Sequence, residues 1–547
     1  MMALTQEAAS VPYNLDDKAA AWIAMPLTRL RSRVSQAGWR LAGLGESTHA
    51  HMRLIDSSDW RLCRNGSACV VVDTQSGPRV ERLLVDTRRQ RQTIDELPQD
   101  RSFATPTPAE GEIVETLIAA CPQINEKTAN RRLLVLGALT VKESRYRIVD
   151  GNGKTLAVVD SLTPNGRGEQ SFLSLRPLRG FGKTLYPLVN SIETGDDSAN
   201  AFVQRLARSQ GRSLFDYGGK PTVPLDKDIS SADAYERIVS YLFDVLHANV
   251  AGVLDRIDDE FLHDFRVALR RLRTVISSLD VELPKADADA VRRLWDATGE
   301  ARDLDVFLAQ QYKLREEASP AVKQELAGLF SRLEDLRSEA YARLGRLVSL
   351  RSLSTLKNAL LAAKPAAADD AIGSRVEKLI RRRDKKFEKA VTRLVASRHV
   401  ARAGSDVGEA AKPGDGDRPP TKPGDGAGSA VSPGDAAVDE LLHAARIQAK
   451  KARYVREVFS GLPTADRRKH GGEVKRLRKL QDALGAYNDL VTEESHMHDL
   501  LAGRDRFGTV RAAIGYLLAH IEREKARARE AVITRLDQDI QTNRRTK

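Results

Sequence analysis

Cysteine is scarce in this 547-residue chain: Cys63, Cys69 and Cys121 are all there is, and the second half has none. An odd count without metal-finger spacing speaks against a disulfide framework or a structural zinc site, and a reducing compartment is expected. Aromatic residues make up 5% of the chain, too few to interleave with its basic segments as stacking platforms for single-stranded nucleic acid. Apolar runs are short, the longest lying near Leu133 to Val141, well below the ~18 residues of a membrane span. The start, Met1 to Glu7, has neither a basic n-region nor an apolar core. These shortages together predict a cytoplasmic protein with no membrane partner.

What is abundant is charge. Charged residues are 30% of the chain and the formal net charge is +12, which favours a polyanionic partner. Hydrophobic residues at 41% and this length suffice for several domains.

The basic residues are ordered. Phe261 to Ile276 has helical periodicity, with Phe265, Leu269, Leu272, Ile276 and Leu279 on one side and His263, Arg266, Arg270 and Arg273 in a displaced stripe. The pattern returns from His443 to Tyr454, where His443, Arg446, Lys450, Lys451 and Arg453 match His263, Arg266, Arg270, Arg271 and Arg273. A second block follows each copy, aligning Asp296 with Asp482, Gly299 with Gly485, Asp303 with Asp489 and Leu304 with Leu490 without a gap. Two blocks repeated in the same order indicate an internal duplication. A further cationic helix face carries Arg375, Lys378, Arg382, Lys385 and Lys389, and a third basic group includes Arg476 and Lys479.

His-x-x-Arg-x-x-x-Arg-Arg-x-Arg followed by Leu-x-Asp-x-x-Gly-x-x-x-Asp-Leu, both duplicated, resembles the CHAD (conserved histidine α-helical) domain over roughly residues 230 to 540. The resemblance implies a pseudo-two-fold bundle of long helices that binds inorganic polyphosphate through basic residues lining a central cleft. On that reading the polymer is held by His263, Arg266, Arg270, Arg271, Arg273, Arg375, Lys378, Arg382, Lys385, Lys389, His443, Arg446, Lys450, Lys451, Arg453, Arg476 and Lys479. Arginine forks suit paired phosphate oxygens and lysine supplies point charge. Packed together, so many cations repel one another unless an anion neutralises them.

Residues 37–215 have a different texture. Short β-like runs at 68–73, 79–85, 131–136, 146–150 and 155–160 alternate with turn residues, Gly151-Asn152-Gly153 marks a hairpin, and a helix is expected at 112–121. Arg53 to Gly66 resembles a strand and turn of the CYTH fold, an antiparallel tunnel or barrel. Active CYTH enzymes open on a Glu-x-Glu-x-Lys strand and hold metal with further carboxylates. No such strand precedes residue 53, and Ser171 to Arg179 contains no carboxylate. Hard-cation coordination is therefore unsupported, and a non-catalytic domain without metal or cofactor is expected.

The expected organisation is α+β. An N-terminal segment (1–36) precedes the antiparallel β domain (37–215), a linker (216–229) and the first helical half (230–400). A Pro/Gly/Asp-rich disordered insert (401–437) and the second half (438–540) follow. The duplicated aspartates are expected to pair with arginine across the bundle, and Gly299 and Gly485 to mark a close helix approach or a kink. A metal role for His263 and His443 is disfavoured because Ala444 replaces Asp264 in the second copy. Two alternatives stay open: a triphosphate or polyphosphate hydrolase acting through the β domain, and a nucleic-acid-binding helical protein. Location at polyphosphate granules would follow from the first reading.

Overall fold

The computed structural model describes residues 21–74, 77–85, 107–120, 131–165, 170–193, 198–215, 217, 223–405, 433–463, 467–502 and 510–546. Two compact units result, Met1–Pro221 with His247–Asp264, and Thr222–Leu246 with Phe265–Lys547. Most of the insert expected at 401–437 lies outside the described residues.

In the first unit the branched and aliphatic runs become one antiparallel sheet. Its strands are β1 (Ala21–Pro26), β2 (Arg40–Asp56), β3 (Ser67–Thr74), β4 (Gly77–Leu84), β5 (Thr107–Pro108), β6 (Leu134–Val149), β7 (Thr155–Pro164) and β8 (Gln170–Pro177). They pair in the order β1-β8-β7-β6-β2-β3-β4, with β5 added to β6. Register shifts between Leu44 and Thr48 and between Leu54 and Ile55 bend the long β2–β6 ladder, and edge strands β1 and β4 approach each other. The result is a curled half-barrel, compatible with a CYTH-like domain.

Around the sheet lie α1 (Leu27–Gln36), α2 (Arg61–Arg64), α3 (Gly111–Ala120), α4 (Gly182–Glu193) and α5 (Ser198–Arg208). Residues 21–36, read from the sequence as a separate segment, belong to this body: Ile23, Met25, Leu30 and Val34 share a core with Ile148, Val159 and Leu175. The runs at 131–136 and 146–150, expected as two strands, are one, because the intervening Thr140 to Arg145 continues the ladder with β2 and β7. The hairpin is as expected: Gly153 has φ +80°, and the Asp150 carboxylate accepts the N–H groups of Asn152 and Lys154 at 2.9 Å.

The interior of the curl holds paired charge. Asp160 accepts from Arg145 at 2.6 Å and from Arg176 at 2.5 Å. Arg79 meets Glu81 at 2.6 Å and Glu143 at 3.4 Å, the latter linking strands that are not neighbours in the sheet. Burial pushes the Glu81 carboxyl up to about 7, against the pull of Arg79. Among the described residues no group of three or more His, Cys, Asp or Glu side chains is placed to hold a metal ion.

The second unit is helical, with two elements continuing into the first. Its elements are α6 (Ser231–Leu254), α7 (Asp259–Ser278), α8 (Lys285–Ala309), α9 (Gln311–Glu317), α10 (Pro320–Leu347), α11 (Leu350–Ala362), α12 (Ile372–Ser405), α13 (Pro433–Val458), α14 (Arg467–Ala502) and α15 (Arg511–Thr546). Ser230 caps α6, accepting the Asp233 N–H at 3.0 Å while donating its hydroxyl to the Asp233 carboxylate. By length and composition α6 is the one described helix apolar enough to cross a membrane, but 56% of that window is buried, as in a core helix.

Two hydrophobic clusters stand out among the described residues of the bundle. One gathers Phe307, Leu326, Leu329 and Phe330 with Met497, Ile514 and Leu517. The other packs Phe387, Val391 and Leu394 of α12 on Leu442, Ala445, Ala449 and Ala452 of α13, with Leu477 and Leu480 of α14. The alanine stripe lets α12 approach α13 closely and leaves Arg446, Lys450 and Arg453 on a neighbouring face.

Candidate anion-binding site

The stripes of the two repeats meet. On α7, burial of Phe265, Leu269 and Leu272 turns Arg266, Arg270 and Arg273 toward α8, where all three guanidinium groups lie over the ring of Trp295, at 4.7, 5.8 and 4.6 Å from its centroid. Arg270 also crosses to the second repeat, donating to the Tyr454 hydroxyl at 2.6 Å and stacking on that ring at 5.2 Å. Arg453 covers the same ring at 5.0 Å. Trp295 and Tyr454 are thus parking platforms for cations.

Arg266 donates to the Thr298 hydroxyl at 3.2 Å, and Gly299 makes room for it: a Cβ there would stand 3.2 Å from Arg266 Nη1. Gly485, its counterpart, has open space around it; among the described residues, at neither glycine does another helix's backbone come within 4 Å of the Cβ position, and what Gly299 admits is the Arg266 side chain. Burial, with Arg270, Arg302 and Arg273 adding to it, lowers the Arg266 guanidinium to about 10, while Asp303 opposes the shift. Beside it lies a cavity of about 560 Å³ lined by Trp295, Asp303, Phe307, Leu333, His496 and other residues.

In the second repeat Arg446 Nη2 meets Asp489 at 3.5 Å, and burial lowers its guanidinium too. Lys450 is perturbed as strongly as Arg266. Burial first, then Arg446, Arg270 and Arg453, push its ammonium down to about 8, with Asp489 opposing. The Nε atoms of Arg446 and Arg453 are buried without a hydrogen-bond partner among the described residues.

Residues 237–498 match the CHAD domain family. This stretch is a CHAD domain. Among solved structures the chain is similar to the crystal structure of the CHAD domain from the plant Ricinus communis, at 23% identity over 58% of this chain and 95% of that one, with a TM-score of 0.43. It is also similar to PptA from Streptomyces chartreusis, at 17% identity over 56% of this chain and 100% of that one, with a TM-score of 0.35. No curated protein matches.

Within the CHAD domain the other sequence candidates are dispersed. His443 is exposed, its Nδ1–H donating to Asn488 Oδ1 at 3.0 Å. His263 is exposed on the first turns of α7, in the portion that belongs to the first unit. The neighbouring Asp264 explains the Asp/Ala difference between repeats: it is buried against Arg131 and accepts from the Tyr217 hydroxyl at 2.6 Å, duties confined to the first copy. Arg271 faces Glu457 at 4.0 Å, a carboxylate shared with Arg453 at 3.5 Å and Arg478 at 3.4 Å.

On α12 the picture differs from the sequence expectation at one position. Arg375 donates to the Leu279 carbonyl at 2.8 Å and to the Ala366 carbonyl, with Asp280 at 3.6 Å. It ties the start of α12 to the end of α7 instead of joining the cationic face. Lys378, Arg382, Lys385 and Lys389 are exposed, and no described hydrogen bond or ion pair joins them to the Arg266–Lys450 cluster. Lys451 and Lys479 are exposed, and Arg476 pairs with Glu473 at 2.9 Å.

The duplicated aspartates divide. Asp489 pairs with Arg446, and Asp303 and Asp296 act on Arg266 and Arg273, whereas Asp482 is exposed. Sequence reasoning passed over Trp295. Its signal was the tryptophan standing where the second copy has Gln481, at the head of the duplicated block.

Proposed function

We propose that this protein binds inorganic polyphosphate, gripping the polymer with Arg266, Arg270, Arg273, Arg446, Lys450 and Arg453 in a basic cleft of its CHAD domain. The observation that carries the reading is the convergence of Arg270 from α7 with Arg446 and Arg453 from α13 on Lys450, whose ammonium is lowered first by burial and then by these three cations, a repulsion that a bound polyanion relieves. A row of phosphates supplies oxygens to several guanidinium forks at once. The exposed α12 face extends the positive surface for a longer chain.

Bare phosphate fits better than nucleic acid, because the aromatic faces nearest the cluster are already covered by arginine and are unavailable for base stacking. In the half-barrel, Glu81, Glu143 and Asp160 are each paired with arginine, which favours a binding role for the protein over hydrolysis. A cytoplasmic protein associated with polyphosphate granules follows as the biological setting.

The test is calorimetric titration with long-chain polyphosphate over a salt series, comparing wild type with an Arg266→Ala/Arg446→Ala/Lys450→Ala variant. Salt-sensitive binding by wild type, abolished in the variant and without phosphate release in the presence of magnesium, is the expected result. Binding that survives the triple substitution, or turnover, would overturn it.

A further inference from the structure

Two carboxylates lie inside the cationic cluster at matched places in the duplication. Asp303 and Asp489 occupy the same position of the second repeated block, and each acts on the arginine of its own repeat, Asp303 on Arg266 and Asp489 on Arg446. They also act on each other, since Asp489 helps push the Asp303 carboxyl up. Asp489 reaches Lys450 as well and raises Glu493, which Gln310 holds at 2.7 Å. One carboxylate therefore stands among Arg446, Lys450, Asp303 and Glu493.

The hold is loose by construction. The Asp489 side chain is 61% exposed, against 16% for Arg446, and their separation is 3.5 Å, longer than a good charge-assisted hydrogen bond. Crowding by protein pushes both aspartates up while the arginines pull them down. The buried Arg446 Nε has no hydrogen-bond partner among the described residues, so the aspartate satisfies only part of that guanidinium. An exposed, partly satisfied carboxylate on a largely buried arginine is an arrangement another anion can replace.

We propose that Asp489 is a built-in counter-anion of the CHAD cluster, holding Arg446 in the empty domain and yielding it to a bound polyanion, with Asp303 acting on Arg266 from the matched place in the first repeat. The inference rests on the polyphosphate reading above and assigns these residues a positioning role. They set affinity by competing for the same guanidinium groups, and they keep the empty cluster from carrying its full repulsion.

Asp303→Asn and Asp489→Asn test this with two readouts. Each variant binds polyphosphate about two- to fivefold tighter than wild type in dilute salt, the range of a partly exposed ion pair. The salt dependence steepens by about one unit of log–log slope per carboxylate removed. Unchanged or weaker binding would overturn the proposal. The second readout needs no polyphosphate: in dilute buffer both variants melt below wild type, and sodium sulfate closes the gap by restoring a counter-anion. Equal melting in dilute buffer would also overturn it. Wild type that ignores polyphosphate, alongside variants that melt low and respond to sulfate, would sink the functional reading while upholding the counter-anion role.

Discussion

On the proposed reading, Lys450 should couple polyphosphate binding to proton uptake. Its ammonium falls from the ordinary 10.5 to about 8, first through burial and then through Arg446, Arg270 and Arg453. In the empty domain at about pH 7 it is largely charged; at about pH 9 roughly one molecule in ten keeps the proton. A polyanion beside it restores a pKa near the ordinary value, so binding at the higher pH must first take up a proton. Affinity at about pH 9 should then be about tenfold weaker than at about pH 7, some 1.4 kcal/mol. The stability of the empty domain moves the other way. A lysine with a depressed folded pKa binds fewer protons than in the unfolded chain between about 8 and 10.5, so stability rises with pH across that window. Calorimetry in two buffers of different ionisation enthalpy measures the uptake directly, and it should approach one proton near pH 9. Lys450→Arg keeps its charge and should bind with a nearly flat profile over the same range. A wild type without the alkaline loss, or a Lys450→Arg variant that loses affinity equally, would refute the reasoning.

Two other substitutions separate folding from binding. Asp264→Asn removes the closest partner of Arg131, whose side chain is 1% exposed and is otherwise approached by Asp59 at 3.7 Å and Asp258 at 3.9 Å. Urea denaturation should show a loss of about 3–5 kcal/mol, the cost of stranding a buried charge, and a loss under about 1 kcal/mol would mean the two distant carboxylates suffice. Gly299→Ala adds a methyl 3.2 Å from Arg266 Nη1, while Gly485→Ala meets nothing within 4 Å. Both should raise helix stability by up to about 1 kcal/mol, yet only Gly299→Ala should weaken polyphosphate binding, by severalfold; equal effects of the two on binding would show that the guanidinium's seat is unimportant.

The helical half was legible because its signals are periodic. The apolar stripe of α7 and the cationic stripe displaced from it, repeated on α13, follow from spacing that local sequence carries. The sheet was legible in its turns and less so in its strand ends. β1 was missed because Ala21 to Pro26 is too short to alternate visibly, and β6 was split because Lys142 to Arg145 is an unbroken polar run. At the site, residue types could be read but not their neighbours. Arg375 fits the helical stripe of Lys378 and Arg382, yet the carbonyls of Leu279 and Ala366 claim it. The reason Asp264 has no equivalent at Ala444 lies in Arg131, more than a hundred residues away in sequence.

Trp295 has an optical consequence. The chain has four tryptophans, and the other three, Trp22, Trp39 and Trp60, all precede the CHAD domain. With three guanidinium groups over its indole, Trp295 sits in a field set by the cations themselves. Anything that pulls those cations away changes its emission. With the other three replaced by phenylalanine, the protein would carry a native fluorophore within its own charge cluster, and occupancy could be followed without attaching a label.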